Sequence, residues 1–236
     1  MKMKPYFRFL LAAGLVAQAT QAADITGTIK LTGTPPAETA IPLDPQCGAL
    51  HPDGMTTRFY VTGADNGLAD VVVYLKGITG KSTGASAAPL ALDQEGCEYV
   101  PYVAAAQTGQ TISVKNSDPF VHNVHPTPTT AGNQEQNRIQ MPNGPQLTHS
   151  YSAPEMFLRF KCDIHPWMFS YISIFDHPYF AVTDKDGKFT ISNVPAGTYT
   201  LGVWHRKANG NTEMTKEIEV TDAGYTVDMS LGVPAQ

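Results

Sequence analysis

FLRFKCDIHPWM, residues Phe157–Met168, carries a cysteine, a histidine and a methionine in a C-x-x-H-x-x-M run: Cys162, His165 and Met168. Leu158, Phe160 and Cys162 fall on one parity of a period-two pattern, and Phe157, Arg159 and Lys161 on the other. A strand that turns its thiol inward is therefore expected. It ends at the cysteine, because Pro166 lacks an amide proton and cannot continue a ladder. Asp163–Met168 read as a short loop able to fold His165 and Met168 back toward the sulfur. Three soft or borderline donors then face one point.

With 42% hydrophobic residues, 20 Gly and 18 Pro in 236 residues, the chain is globular and loop-rich, with room for one or two domains. Lys2, Lys4 and Arg8 precede an apolar run from Phe9 to Ala17, followed by Ala19, Ala22 and Ala23. This is the plan of a secretory signal peptide over residues 1–22, with cleavage expected after Ala22. The run is short for a bilayer span and no other segment reaches the necessary length, so no transmembrane segment is expected after cleavage. Periplasmic or secreted localisation follows. Losing Lys2, Lys4 and Arg8 moves the formal charge of −5 three units further negative. Such acidity argues against nucleic acid, which is bound through clustered Lys and Arg.

Three cysteines in an exported chain leave one unpaired. Cys47 and Cys97 sit in Gly-containing, loop-like settings, whereas Cys162 sits among metal donors. A Cys47–Cys97 disulfide is the economical assignment, worth roughly 3–4 kcal/mol on chain-entropy grounds. The other two pairings stay open at this point, and either would remove the thiolate a metal site needs.

In chain order, Asp24–Thr34 reads as an edge strand ended by Pro35-Pro36, and Leu68–Leu75, LADVVVYL, as a strand buried on both faces. Thr79–Ala88 is a Gly/Ser/Ala-rich connector with the composition of a flexible boundary. Ile112 and Val114 alternate with polar neighbours, giving a strand that runs into Asn116 after a turn at Thr108-Gly109.

The run Tyr99-x-Pro101, Gly109-x-Thr111, Lys115-Asn116 and Phe120-x-His122-Asn123 resembles the first half of a cupredoxin, the plastocyanin and pseudoazurin family. The C-x-x-H-x-x-M loop resembles its second half, and its spacing is most similar to pseudoazurin and amicyanin. The resemblance implies a Greek-key β-sandwich and one type 1 copper ion held by His122, Cys162, His165 and, weakly and axially, Met168. It also implies that Asn123 braces the cysteine loop through hydrogen bonds. Independently, two imidazoles, a thiolate and a thioether suit both Cu(I) and Cu(II). A single loop cysteine argues against a binuclear centre, which needs two bridging thiolates.

Taken singly, a strand Cys or a Met is more often core than ligand; together with an upstream His-Asn they favour the metal reading. His125 reads either as a hydrogen-bonded loop histidine or as an alternative ligand, while His51, His149, His177 and His205 lack matched partners and are assigned structural roles. Thr127–Glu155 is polar, and a hairpin around Pro142-Asn143-Gly144 is expected within it. Trp167 reads equally as a core anchor or, with Pro166, as an apolar patch by which electrons leave at the His165 edge.

In Ala181–His205 Asp-Gly and Pro-Ala-Gly turns separate Phe189/Ile191 from Tyr199/Leu201/Val203, predicting antiparallel strands, with Ile218–Val220 as a last strand. These resemble the second half of a carboxypeptidase regulatory-like, transthyretin-like β-sandwich, and the Gly27-x-Ile29 strand and LADVVVYL resemble its first half. The expected organisation is a signal peptide (1–22), N-terminal strands pairing with the C-terminal module (23–88), a cupredoxin domain (89–176) and a regulatory-like part (177–236), nested or tandem. The fold class is all-β. No nucleophile with a base appears, so the protein is expected not to be an enzyme. The expected function is single-electron transfer between redox partners, such as a cytochrome or a copper or quinone enzyme. The rivals are copper storage or delivery without electron transfer, and a scaffold whose Cys162 cluster is vestigial or binds zinc.

Overall fold

The computed structural model describes residues 22–235. The expected signal peptide, apart from Ala22, lies outside the described residues. The chain forms β1 (Ala22–Thr32), the short helix α1 (Pro45–Leu50), β2 (Val72–Leu75), β3 (Leu90–Glu95), β4 (Glu98–Val100), β5 (Val103–Gln107), β6 (Ile112–Asn116), β7 (His122–Thr127) and β8 (Arg138–Gln140). It continues through β9 (Leu147–His149), β10 (Glu155–Lys161), β11 (Phe169–Phe175), β12 (Phe180–Val182), β13 (Lys188–Pro195), β14 (Gly197–Trp204), β15 (Met214–Val220) and β16 (Tyr225–Gly232). The fold is all-β, as the alternating patterns require.

Four sheets stack into two sandwiches, an outer one built around β1 and an inner one that carries β10. One pairs the β13-β1-β16 sheet with β12-β2-β14-β15, and Ile25, Ile29, Leu75, Ile191, Leu201 and Ile218 fill its core. The other pairs β4-β3-β6-β9 with β5-β11-β10-β7-β8 around Leu92, Ile112, Val114, Val124, Phe160 and Ile172. A third apolar cluster, Val72, Val103, Tyr171 and Phe175, lies where the two sandwiches meet. It explains the continuous apolar run of LADVVVYL: Val73 and Leu75 belong to the outer core, Val72 to the contact between sandwiches. The strand itself is shorter than the run, because Asp70 takes a left-handed conformation (φ 61°) just before it.

Several elements depart from the sequence reading. β1 is not an edge but the centre of its sheet, antiparallel to β13 and parallel to β16. Glycine is needed in its middle, since a Cβ on Gly27 would lie 1.8 Å from the Val227 carbonyl oxygen. β13 and β14 are consecutive but join different sheets, each pairing antiparallel with other strands. The turn at Pro142–Gly144 is likewise a corner rather than a hairpin: β8 pairs with β7 and β9 with β6. In both places the chain crosses the core so that each strand buries one face, which local alternation does not encode. The Thr79–Ala88 connector is pinned, not free. The Gly80 amide donates to Asp176 at 2.5 Å, the Thr83 amide to Gln107 at 2.8 Å, and the Ser82 hydroxyl to the Thr108 carbonyl at 2.7 Å.

Two features set the geometry at the end of the inner sandwich where Cys162 lies. β7 and β10 pair antiparallel with His125 opposite Lys161, which brings the start of β7 beside the end of β10. The segment before β2 lies over the same end, tied by the Cys47–Cys97 disulfide, which joins α1 to the β3–β4 turn.

Candidate metal centre

β10 delivers Cys162 to the inner core, and the loop after it closes on itself: the Cys162 amide donates to the Met168 carbonyl at 3.0 Å and the Met168 amide to the His165 carbonyl at 2.9 Å. These bonds turn the chain back as the motif predicts. His165 Nδ1 then lies 3.7 Å from Cys162 Sγ and 2.9 Å from His122 Nδ1. One donor atom from each of His122, Cys162 and His165 lies within 4.8 Å of the others. All three residues are at most 2% exposed, and Met168 is fully buried in the same core.

The brace predicted for Asn123 takes a definite form. Its Oδ1 accepts the Asp163 amide at 2.7 Å, and its Nδ2 donates to Asn137 at 2.6 Å and to the Asp163 carboxylate at 3.2 Å. The residue after the thiol is thus fastened to the residue after the upstream histidine. His125 is not part of the cluster. Strand alternation puts it on the face opposite His122, where Nδ1 meets Asp163 at 2.6 Å and Nε2 meets Glu135 at 2.7 Å. The remaining histidines have structural contacts. His51 Nε2 lies 2.6 Å from the Gly96 carbonyl, Arg138 reaches His149 at 3.2 Å, and His177 and His205 accept backbone amides of Tyr179 and Ala208.

Two acidic residues that the sequence reading passed over hold the outer sides of both imidazoles. His122 Nε2 is 2.9 Å from Asp118 Oδ2, and His165 Nε2 is 3.1 Å from Asp44 Oδ2. Asp44 also caps α1, accepting the Gln46 and Cys47 amides at 2.8 and 2.9 Å. The Asp-Pro pair at that helix start is a capping signal visible in the sequence. Its reach to His165, across more than a hundred residues of chain, has no such signal.

The electrostatics follow from burial and these partners. Burial alone would lower the His122 pKa, but the Asp118 carboxylate and the Cys162 thiolate outweigh it and raise it to about 9. Burial pushes the Cys162 thiol up, yet hydrogen bonds from His122 and from backbone amides leave it below its ordinary value. His165 is held down, first by burial and then by the neighbouring His122 charge. The cluster therefore favours a protonated His122 and eases ionisation of the Cys162 thiol beside it. A thiolate, two imidazole nitrogens and a thioether fit a copper ion, whereas a purely structural zinc site would be closed by four strong donors.

Trp167 lies beside the candidate cluster. It packs 5.5 Å from the His165 ring and lines a cleft of about 170 Å³ with Ile41, Arg58, Phe59, Tyr102 and Phe169. The His165 edge itself is not at the surface, because Asp44 and the segment carrying it cover it.

A family model described as polysaccharide lyase family 4, domain II, matches residues 175–229. The match covers β12 to most of β16, the part of the outer sandwich whose turns resemble a regulatory-like module. No curated protein sequence matches the chain. Similar solved structures include a purple cupredoxin from Nitrosopumilus maritimus, at 16% identity over 36% of this chain and 98% of that one, TM-score 0.30. An oxidised amicyanin variant is 13% identical over 43% of this chain and 97% of its own, TM-score 0.33. A copper-containing nitrite reductase from Thermus scotoductus is 18% identical over 57% of this chain and 27% of that chain, TM-score 0.34.

Proposed function

We propose that the protein is an exported, noncatalytic type 1 copper protein that carries single electrons, with His122, Cys162 and His165 as ligands and Met168 as a weak axial donor. The observation that carries this reading is the buried convergence of His122 Nδ1, His165 Nδ1 and Cys162 Sγ on one point. Bound copper would supply a one-electron couple there. The chain's own residues do the rest. Asn123 fixes the loop that holds the sulfur, the carboxylates on both outer nitrogens orient the imidazoles, and the surrounding core excludes water. A fixed donor set favours rapid transfer, because little has to rearrange between oxidation states.

Export is supported by the charged and apolar leader at the N-terminus and by the Cys47–Cys97 disulfide, which persists in oxidising compartments. No described helix is long and apolar enough to cross a membrane. A cytochrome or a copper or quinone enzyme is the proposed class of partner. Electrons would pass by Trp167, which adjoins the His165 ring and opens on the apolar cleft.

Copper retention without transfer is the second reading, favoured by one observation: His165 is covered by Asp44 and is only 2% exposed. Visible spectroscopy of copper-loaded protein decides between them. An intense thiolate-to-copper band that bleaches and returns on reduction and reoxidation supports electron transfer. A band without reversible exchange supports retention, and absence of the band overturns the copper assignment.

A further inference from the structure

We propose that Asp44 and Asp118 are a pair of positioning residues for the metal centre, held in place by the Cys47–Cys97 disulfide. The inference rests on the copper reading and deepens it. Each carboxylate does the same two things. Asp44 accepts the Cys47 amide at 2.9 Å and contacts His165 Nε2 at 3.1 Å. Asp118 accepts the Cys97 amide at 2.7 Å, together with the Gly96 amide at 2.6 Å, and contacts His122 Nε2 at 2.9 Å. The two half-cystines thus sit at the backs of the two carboxylates, and the disulfide links the holders of both imidazoles across 50 residues of sequence.

The chemistry of this arrangement is specific. A carboxylate on Nε2–H fixes the tautomer in which Nδ1 bears the lone pair, and it makes that nitrogen a stronger donor. Two such carboxylates place two negative charges one imidazole away from the metal position, where the low local dielectric screens them little. Negative charge favours the more positive oxidation state, so the pair stabilises Cu(II) over Cu(I) and lowers the reduction potential. Asp118 is buried and its carboxylate is held by the Gly96 and Cys97 amides as well as by His122, which makes its contribution the larger. Asp44 is a third exposed and its effect is partly screened.

The test uses full-length mature protein with Asp44→Asn, Asp118→Asn and the double variant. Asparagine caps a helix as well as aspartate does, so Asp44→Asn removes charge without uncapping α1. Copper-loaded samples are titrated spectroelectrochemically, and zinc-loaded samples are examined by nitrogen-15 NMR of the imidazole rings. The expected result is a potential raised at least tenfold in the Cu(I)/Cu(II) affinity ratio for Asp118→Asn, about 60 mV for one electron, and less for Asp44→Asn. In the zinc-loaded wild type both rings carry the proton on Nε2, with a strongly shifted proton signal that moves toward the neutral-amide position in each variant. A Cys47→Ala/Cys97→Ala protein shows changes of the same sign at both rings; if it does not fold, the aspartate variants decide alone. Potentials unmoved in folded, loaded variants overturn the proposal. Should the wild type show no thiolate–copper band, the copper reading fails, and the NMR arm still decides: Nε2 protons insensitive to the aspartates sink the clamp, sensitive ones sustain it for another metal.

Discussion

The two sandwiches are built from similar strands but differ in what they bury. The outer one closes on aliphatic and aromatic side chains, with Thr183 and His205 among its few buried polar groups, each bonded to backbone. The inner one buries Gln94, Asn116, Asp118, His122, Asn123, Gln140, His149 and His165 in its sheets and loops. Those groups form a chain of bonds: Gln94 donates to Gln140 at 2.6 Å, Asn116 donates to the Gln140 carbonyl at 3.2 Å, and the Asn116 side chain accepts the Asp118 amide at 3.0 Å. Burying polar groups costs stability unless each is paired. The inner sandwich carries that cost where His122, Cys162 and His165 converge; the outer one supplies apolar core and a surface against which β11 and β5 rest.

If the sandwiches divide the work in this way, their defects separate. The largest is functional and confined to the inner module: Cys162→Ser should abolish the thiolate–copper band and leave a folded protein, checked by absorption and circular dichroism. A thiolate band that survives this change would refute the ligand assignment. Next, Ile29→Ala in the outer core should lower stability by about 2–5 kcal/mol, as for other buried aliphatic truncations. The copper spectrum of the folded protein should not change. A shifted spectrum would show that the outer core reaches the metal cluster and would break the division between modules.

Acid should act on both sandwiches through buried neutral histidines. Burial, aided by Arg206, holds His205 at about 4 in the outer module, and burial with Arg138 holds His149 at about 4 in the inner one. Between pH 4 and about 6.5 the unfolded chain binds a proton that the folded chain does not. Stability contributed at these sites is therefore full above about pH 6.5 and falls as the pH drops toward 4, by up to about 3 kcal/mol for His205. Melting temperatures at pH 7, 5.5 and 4.5 measure the slope, and His205→Gln should flatten it; an unchanged slope in that variant would exclude His205 as its source. The smallest effect is expected for Asn123→Ala. Losing the bonds to Asp163 and Asn137 should cost about 1–2 kcal/mol and broaden the copper absorption as the loop loosens, whereas an identical spectrum would make the brace structural only.

Much of the candidate site was legible because it is local. C-x-x-H-x-x-M sets three donors within seven residues, and the alternation of Leu158, Phe160 and Cys162 fixes the face on which the thiol lies. His122 and Asn123 came from the resemblance of Phe120-x-His122-Asn123 to a cupredoxin, and the loop-like settings of Cys47 and Cys97 favoured the pair that the structure forms. Strand partners were not legible. β1 reads as an edge from its polar neighbours, yet it is central, since what decides its position is the β16 strand arriving two hundred residues later.

The sequence by itself therefore determined the class of fold and the donor types offered by the Cys162 loop, because these depend on periodicity, on side-chain chemistry and on parity along a few residues. Only the tertiary structure decided that Asp44 stands behind His165 and that His165 is covered. Those facts depend on which distant segments pack together, and the packing is chosen by the burial of whole sheets, in which no short spacing of residues takes part.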